Sequence, residues 1–170
     1  MLPMSLRAML FTPLLLAAVA AADTPPDEFT SGVWQGKANY DDEGHFSDCT
    51  MTAQAESEIL LGFVISKDFD WGLVLADESR VFDVGTRKGV LLLVDGREPI
   101  AAMAKVVDVH GILIPLENSD EVVEALRDGK VLRISTDEKE FSFALTGTSD
   151  AIAALAQCVS EHQGTNRVEL

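Results

Sequence analysis

Beyond residue 32 the apolar positions alternate with polar ones in short runs separated by turn formers, a pattern that predicts strands. Residues 33–40 read as a first strand. The cluster Asp41-Asp42-Glu43-Gly44 turns the chain into a second at 45–53, forming a hairpin. Residues 57–66 (SEILLGFVIS) are largely apolar and β-branched in part, and suit a buried strand. A turn at 67–70 leads to a strand at 71–75, and a short strand-like piece follows at 81–83. The run 89–94 meets Asp95-Gly96, the strongest two-residue hairpin signal in the chain, with its partner at 100–107. A further strand is expected at 112–116, and a pair at 131–136 and 141–145 across a polar connection.

Two segments switch to helical spacing. Asn118 is placed to cap residues 119–128, with Glu121 completing a capping box. Val122, Val123 and Leu126 form the apolar stripe, and Gly129 closes the helix. The second helix starts at Thr148, read as its cap, with Asp150 in the first turn. Ala151, Ile152, Leu155, Cys158 and Val159 share one face, so Cys158 points inward. The fold class expected is mainly β: an antiparallel sandwich or barrel-like sheet of about eight or nine strands, with two short helices and the C-terminal one packed on the sheet.

The first 22 residues follow another pattern. Arg7 is their only charge, and a run from Ala8 to Ala22 is broken only by Thr12 and Pro13 and ends in small residues. Cleavage after Ala20 or Ala22 leaves an A-x-A pattern, the mark of a secretory signal peptide. The run falls short of the ~20 apolar residues of a membrane span, and no later segment approaches that length. The organisation expected is therefore a signal at 1–22, a flexible leader at 23–31, one β-rich domain at 32–160 and a frayed tail at 161–170 that includes His162. The location expected is periplasmic or secreted.

Charge narrows the partners. The chain carries 13 Lys and Arg against 28 Asp and Glu, a net charge of −15. Nucleic acids and anionic membrane surfaces need a basic footprint, so neither is an expected partner. A protein or envelope component remains. Cys49 and Cys158 are the only cysteines. In an oxidising compartment two thiols of one small domain pair, and their wide spacing does not suit a redox or metal motif. A disulfide between an early strand and the inner face of the last helix is expected.

Candidate chemistry is sparse. Nucleophile–histidine catalysis needs a nucleophile, a base and an orienter. The only histidines are His45, His110 and His162, no serine sits in G-x-S-x-G, and the disulfide would consume both thiols. Carboxylate pairs could serve a glycosidase, but nothing selects two of the many acids, which sit at turns and on polar helix faces. In NYDDEGHFSD, Asn39, Asp41, Glu43 and Gly44 match positions 1, 3, 5 and 6 of an EF-hand loop, but Thr50 stands where position 12 needs a bidentate glutamate. Asp41, Asp42, Glu43 and Asp48 are thus weak calcium candidates on an acidic hairpin tip. The aromatics Trp34, Phe46, Phe69, Trp71 and Phe82 could build a ligand face, Trp34, Phe46 and Trp71 foremost, with core packing as the simpler role. No cofactor is expected.

The segments GVWQGKANYDDEGHFSDCTM, DFDWGLVL and FSFALTGTSDAIAALAQCV resemble a group of small exported alphaproteobacterial domains. That group has a tryptophan strand, an acidic turn, a Phe-x-x-Cys strand, an aromatic–Trp strand, and a Phe-x-Leu-Thr-Gly-Thr-Ser segment before a helix closing on Cys-Val. Here these are Trp34, Phe46 and Cys49, then Trp71, then Phe143, Leu145, Gly147, Leu155, Cys158 and Val159. The C-terminal half is also similar, more remotely, to the invasion-associated locus B proteins. With only two cysteines, the chain departs from the distant members of that group. The resemblance implies an exported domain and no particular activity. The expectation is a non-enzymatic module acting through binding or envelope association, against two alternatives: a small hydrolase with an acidic site, or a weak calcium binder.

Overall fold

Sequential hairpins build most of the sheet, because each strand buries one face and pairs most easily with its neighbour in the chain. In a computed structural model that describes residues 25–54, 59–116, 120–137 and 139–164, five strands form a first antiparallel meander: β1 (Glu28–Ser31), β2 (Trp34–Tyr40), β3 (Phe46–Gln54), β4 (Leu60–Ser66) and β5 (Trp71–Ala76). A second meander, β6 (Arg87–Val94), β7 (Ile100–Asp108) and β8 (Gly111–Pro115), runs back so that its last strand pairs with β5. Helix α1 (Asp120–Asp128) leads to the hairpin β9 (Val131–Ser135) and β10 (Glu140–Ala144), and β9 pairs with β6. Helix α2 (Thr148–His162) ends the described chain. The strand order is β1-β2-β3-β4-β5-β8-β7-β6-β9-β10 in a single sheet that does not close.

Register lines the buried side chains into rows across this sheet. Met51, Phe63, Leu73 and Ile114 face one another through three pairings, and Leu61, Leu75, Ile112 and Val106 form a parallel row. All eight are buried. Truncating such a side chain costs about 2–5 kcal/mol. Helix α2 lies against β1–β4 and contacts α1, burying Ala151, Ile152, Leu155, Cys158, Val159 and His162. Trp34 packs edge-on against Phe63, their ring centres 5.4 Å apart, and its indole N–H donates to the Thr146 carbonyl at 3.2 Å. That bond holds the turn from which α2 starts.

The expected class holds: antiparallel, mainly β, with the C-terminal helix on the sheet. Four local expectations are corrected. The flexible leader at 23–31 instead supplies β1, where the Phe29 ring lies over Gly36 in the paired position and a β-carbon at 36 would strike it. The piece at 81–83 is no strand; the Phe82 amide donates to the Val109 carbonyl inside a loop. Thr148 is not the cap of α2: Gly147, at φ 77°, holds that place, and the Thr148 hydroxyl donates to the carbonyls of Leu126 and Leu145. His162 belongs to the last turn of α2 and is 1% exposed, not part of a frayed tail. The signal at 1–22, the Asn118 cap and residues 165–170 lie outside the described residues.

Asp95-Gly96 turns the chain as expected, with φ of 48° and 72° and the Arg97 amide donating to the Val94 carbonyl at 2.9 Å. The ladder resumes only at Leu92–Ile100, so the loop is wider than two residues. Beyond it β6 pairs with β9. The Asp95 carboxylate accepts from the amides of Lys130 and Val131 and is thereby held below the usual carboxylate range.

Cys49 on β3 and Cys158 on α2 form a disulfide across 109 positions of sequence. A loop of ~100 residues gives a chain-entropy stabilisation of up to ~4.7 kcal/mol. The double variant Cys49→Ala/Cys158→Ala should lose about 2–5 kcal/mol of unfolding free energy by urea denaturation. Reductant should lower the midpoint of the wild type and leave that variant unmoved. An unshifted wild-type midpoint would contradict this role. A second test concerns β1: Gly36→Val should displace the Phe29 ring, and the amides of residues 28–31 should exchange with solvent faster while those of β4 stay protected.

Candidate functional site

The candidate ligand face does not form as a face. Trp34 and Phe46 are 2% and 4% exposed and pack beneath α2, while Trp71 is half-buried on β5. Burial under the helix follows from the register: Cys49 on β3 pairs with Ala38 on β2 and with Ile65 on β4, so the face carrying these residues is the one the disulfide pulls against α2.

Nor do the four calcium candidates converge. Asp41 accepts from the amides of Glu43 and His45, an Asx-type turn that holds its carboxyl below the usual range, the His45 bond being the main cause. The His45 ring sits 3.5 Å from Asp41 and 3.6 Å from Glu43. Asp48 is engaged on the ladder instead: it accepts from Asn39, Ser47 and Thr50. The carboxylates therefore serve the turn and the ladder, and Asp42 and Glu43 are exposed at the tip.

At the C-terminal end of α2, four polar or aromatic groups meet around the disulfide. The His162 ring stacks on Phe46 with centres 5.7 Å apart, its Nδ1 lies 2.9 Å from the Cys158 carbonyl oxygen, and its Nε2 lies 3.7 Å from Asp27. The Tyr40 hydroxyl donates to that same Asp27 carboxylate at 2.9 Å. Cys49, Cys158 and His162 converge as metal ligands would, but the sulfurs are bonded to each other and offer no thiolate. The group fastens the start of the domain to its end.

A cleft opens at the other end of the sheet. Its volume is about 220 Å³. The floor is apolar: Ile59, Leu75, Val90 and Ile112, with the half-buried rings of Phe82 and Phe141. Its rim is cationic, with Arg80, Arg87 and Lys88 set against Asp77 and Asp137. Lys88 occupies the inward register of β6, two positions before the buried Val90, which directs it over the cleft. The connection between β5 and β6 supplies the rest. Its backbone is tied across the sheet by the Phe82 amide on Val109 and the Gly85 amide on Val106, each at 2.8–2.9 Å. Asp77 shapes the start of that loop: it accepts from the amide and hydroxyl of Ser79 and lies 3.6 Å from Arg80 Nε. The Ser79 hydroxyl bond is the main cause of its lowered pKa, and the carboxylate stays ionised at neutral pH. On the far side Lys139 stands over the Phe141 ring at 5.1 Å.

Of the cleft residues, only Phe82 is among the aromatics that the sequence offers for a ligand face. A signal was present: the segment RVFDVGTRK (80–88) carries three cations and one acid in a chain where acids outnumber cations twofold. That local reversal of charge, next to Phe82, marks the rim.

No protein-family model matches the chain, and no curated protein matches it. A solved structure does, that of invasion associated protein B from Bartonella henselae, at a TM-score of 0.55 and 23% identity over 79% of this chain and 97% of that one. The two proteins share a fold. The remote similarity to the invasion-associated locus B proteins read from the sequence thus has a counterpart in three dimensions.

Because a lowered carboxylate stabilises only above its unfolded pKa, near 3.9, the Asp77 contribution is present at neutral pH and is lost as pH falls through the lower folded value. Hydrogen exchange at the Phe82 amide should therefore be protected at neutral pH and lose protection on strong acidification. Asp77→Asn should be less protected at neutral pH and show a flatter acid dependence. Identical profiles for variant and wild type would remove Asp77 from this role.

Proposed function

We propose that the protein is an exported module, periplasmic or secreted, that acts by binding and not by catalysis, with the cleft between the β5–β6 connection and the β9–β10 hairpin as its binding site. The observation that carries this reading is the lining of that cleft, an apolar floor under a cationic rim. Concave, mostly apolar sites with a few converging polar groups are where small ligands bind. Export is supported by the N-terminal Arg7–Ala22 pattern and by a buried disulfide, which persists in oxidising compartments. An association with the envelope fits the same location.

The hydrolase reading is weaker. Asp77 and Asp137 both line the cleft, but a carboxylate engaged by Ser79 and Arg80 and held ionised is a poor proton donor. Among the described residues lining the cleft there is no histidine, cysteine or serine. Its rim is built to hold charge rather than to move protons.

Osmotic-shock fractionation of cells expressing the full chain should release an oxidised protein lacking residues 1–22. Native mass spectrometry of that protein, purified without ligand exchange, should show a bound small molecule that is absent from a Val90→Trp variant filling the cleft. A reduced cytosolic protein with an intact N-terminus, or an adduct equally present in the filled variant, would overturn the proposal.

A further inference from the structure

The sheet edge beside the cleft defines what the cleft takes, an inference that rests on the binding role just proposed. We infer that the ligand is an extended segment of another polypeptide, added to the sheet as a strand alongside β10. One of its apolar side chains enters the cleft, and an acidic residue comes just before that one in its sequence.

The backbone of β10 is the first ground. The Thr136 amide donates to the Lys139 carbonyl at 2.8 Å, and the Leu145 amide to the Lys130 carbonyl at 2.9 Å. Bonded and non-bonded pairs alternate along an antiparallel ladder, so Phe141 and Phe143 are the members of β10 bonded to β9. The amides and carbonyls of Glu140, Ser142 and Ala144 therefore point away from β9. All three residues are exposed, and among the described residues no strand pairs with them. An edge in this state is a template for one more strand. Little obstructs it: EFSFA holds no proline, its register against β9 has no bulge, and its one charge, Glu140, accepts from the Ser135 hydroxyl at 3.1 Å.

Phe141 joins this edge to the cleft. It lines the cleft together with Leu75, although β10 and β5 stand five places apart in the sheet, so the sheet curls to bring them together. Of the two edge strands, only β10 is among the described lining. The side chain of an added strand opposite Phe141 falls on the same inward face as that ring. Lys139 stands over the ring at 5.1 Å and is exposed, so its apolar stem can lie along the incoming side chain. An apolar cavity of ~150 Å³ holds benzene. The cleft, at about 220 Å³, takes one leucine or phenylalanine side chain.

The outer face sets the neighbouring residue. Arg133 on β9 is exposed, with Leu93 opposite it on one side and Ser142 on the other. Ser142 is small, which leaves the guanidinium room to reach across it. The acids nearby are engaged: Glu140 by Ser135, and Asp95 by the amides of Lys130 and Val131. A carboxylate opposite Ser142 complements this guanidinium. Every pairing in the sheet is antiparallel, and antiparallel addition puts that acid immediately before the apolar residue.

The probe is the capped hexapeptide Thr-Thr-Glu-Leu-Thr-Thr, titrated into the isotope-labelled, oxidised mature protein. The amides of Glu140, Ser142 and Ala144 should shift and gain exchange protection, with those of β1 unmoved. Replacing the leucine by glycine, or the glutamate by glutamine, should weaken binding about tenfold in each case. N-methylation of the glutamate, whose amide faces β10, should weaken it by about tenfold or more. N-methylation of the leucine, whose amide faces away, should change nothing. Ser142→Pro removes an amide that β9 does not use, so the variant should fold and fail to bind the probe. Arg133→Gln should bind the glutamate and glutamine probes equally. Indifference to the position of the N-methyl group would overturn the added strand. A dimer abolished by Ser142→Pro would give the edge to a second copy and overturn the inference too. No probe binding to a protein that still carries its adduct from cells would overturn it and leave the binding role standing. Absence of both would sink the two together.

Discussion

Everything at one end of the molecule depends on a single covalent bond between β3 and α2. The sheet is open, so its concave face must be covered by something that is not a strand. Helix α2 covers the β1–β4 half, and the Cys49–Cys158 bridge fixes where along the sheet it sits. Once Cys158 is placed, its helical neighbours Leu155 and Val159 meet the sheet, and His162 arrives one turn further on, against Phe46 and Asp27. The tryptophan at position 34 does the same for the start of the helix through the Thr146 carbonyl. Between these two fixed points the helix has little freedom to slide.

That arrangement separates the molecule into a sealed half and an open half. Under α2 the aromatic residues are consumed by packing, which is why Trp34 and Phe46 recognise nothing outside the protein. Towards β5, β8, β6, β9 and β10 the described residues place no helix across the sheet end, and the long β5–β6 connection arches there instead. Concavity with an apolar floor arises where the covering element is a loop held by a few backbone bonds, not a helix held by the stripe Ala151, Ile152, Leu155 and Val159. Arg80 and Phe82 ride on that loop, so the site's geometry is set by Asp77, Ser79 and two backbone amides.

Local chemistry made much of this legible in advance. Strands with clean alternation, such as 46–54, fall within a residue or two of their expected bounds. The turn at Asp95-Gly96 adopts the left-handed geometry its residues favour, and the apolar stripe around Cys158 does face the sheet. What sequence could not convey is pairing between segments far apart. β1 exists because Phe29 finds Gly36, and nothing within Glu28–Ser31 marks it as a strand. Val81-Phe82-Asp83 has the alternation of a strand, but its amide partner is Val109 in a turn and not a neighbouring ladder. The join of β5 to β8 leaves no local trace either, and the cleft depends on it. The rim segment with Arg80 and Lys88, the strand with Ile112 and the strand with Phe141 are three separate stretches of chain, so their convergence is a product of strand order alone.

The placement of Cys158 so near the end of the chain sets an order of events. β2 to β5 follow one another within 43 residues of sequence and can pair as soon as they emerge, with Cys49 already seated on β3. Its partner arrives only after nearly the whole chain, including β9 and β10, is available to place α2. Bond formation therefore acts as a completion mark. A chain stalled or truncated before the last helix holds one exposed thiol and an uncovered apolar face, the features by which quality-control machinery tells an unfinished protein from a finished one.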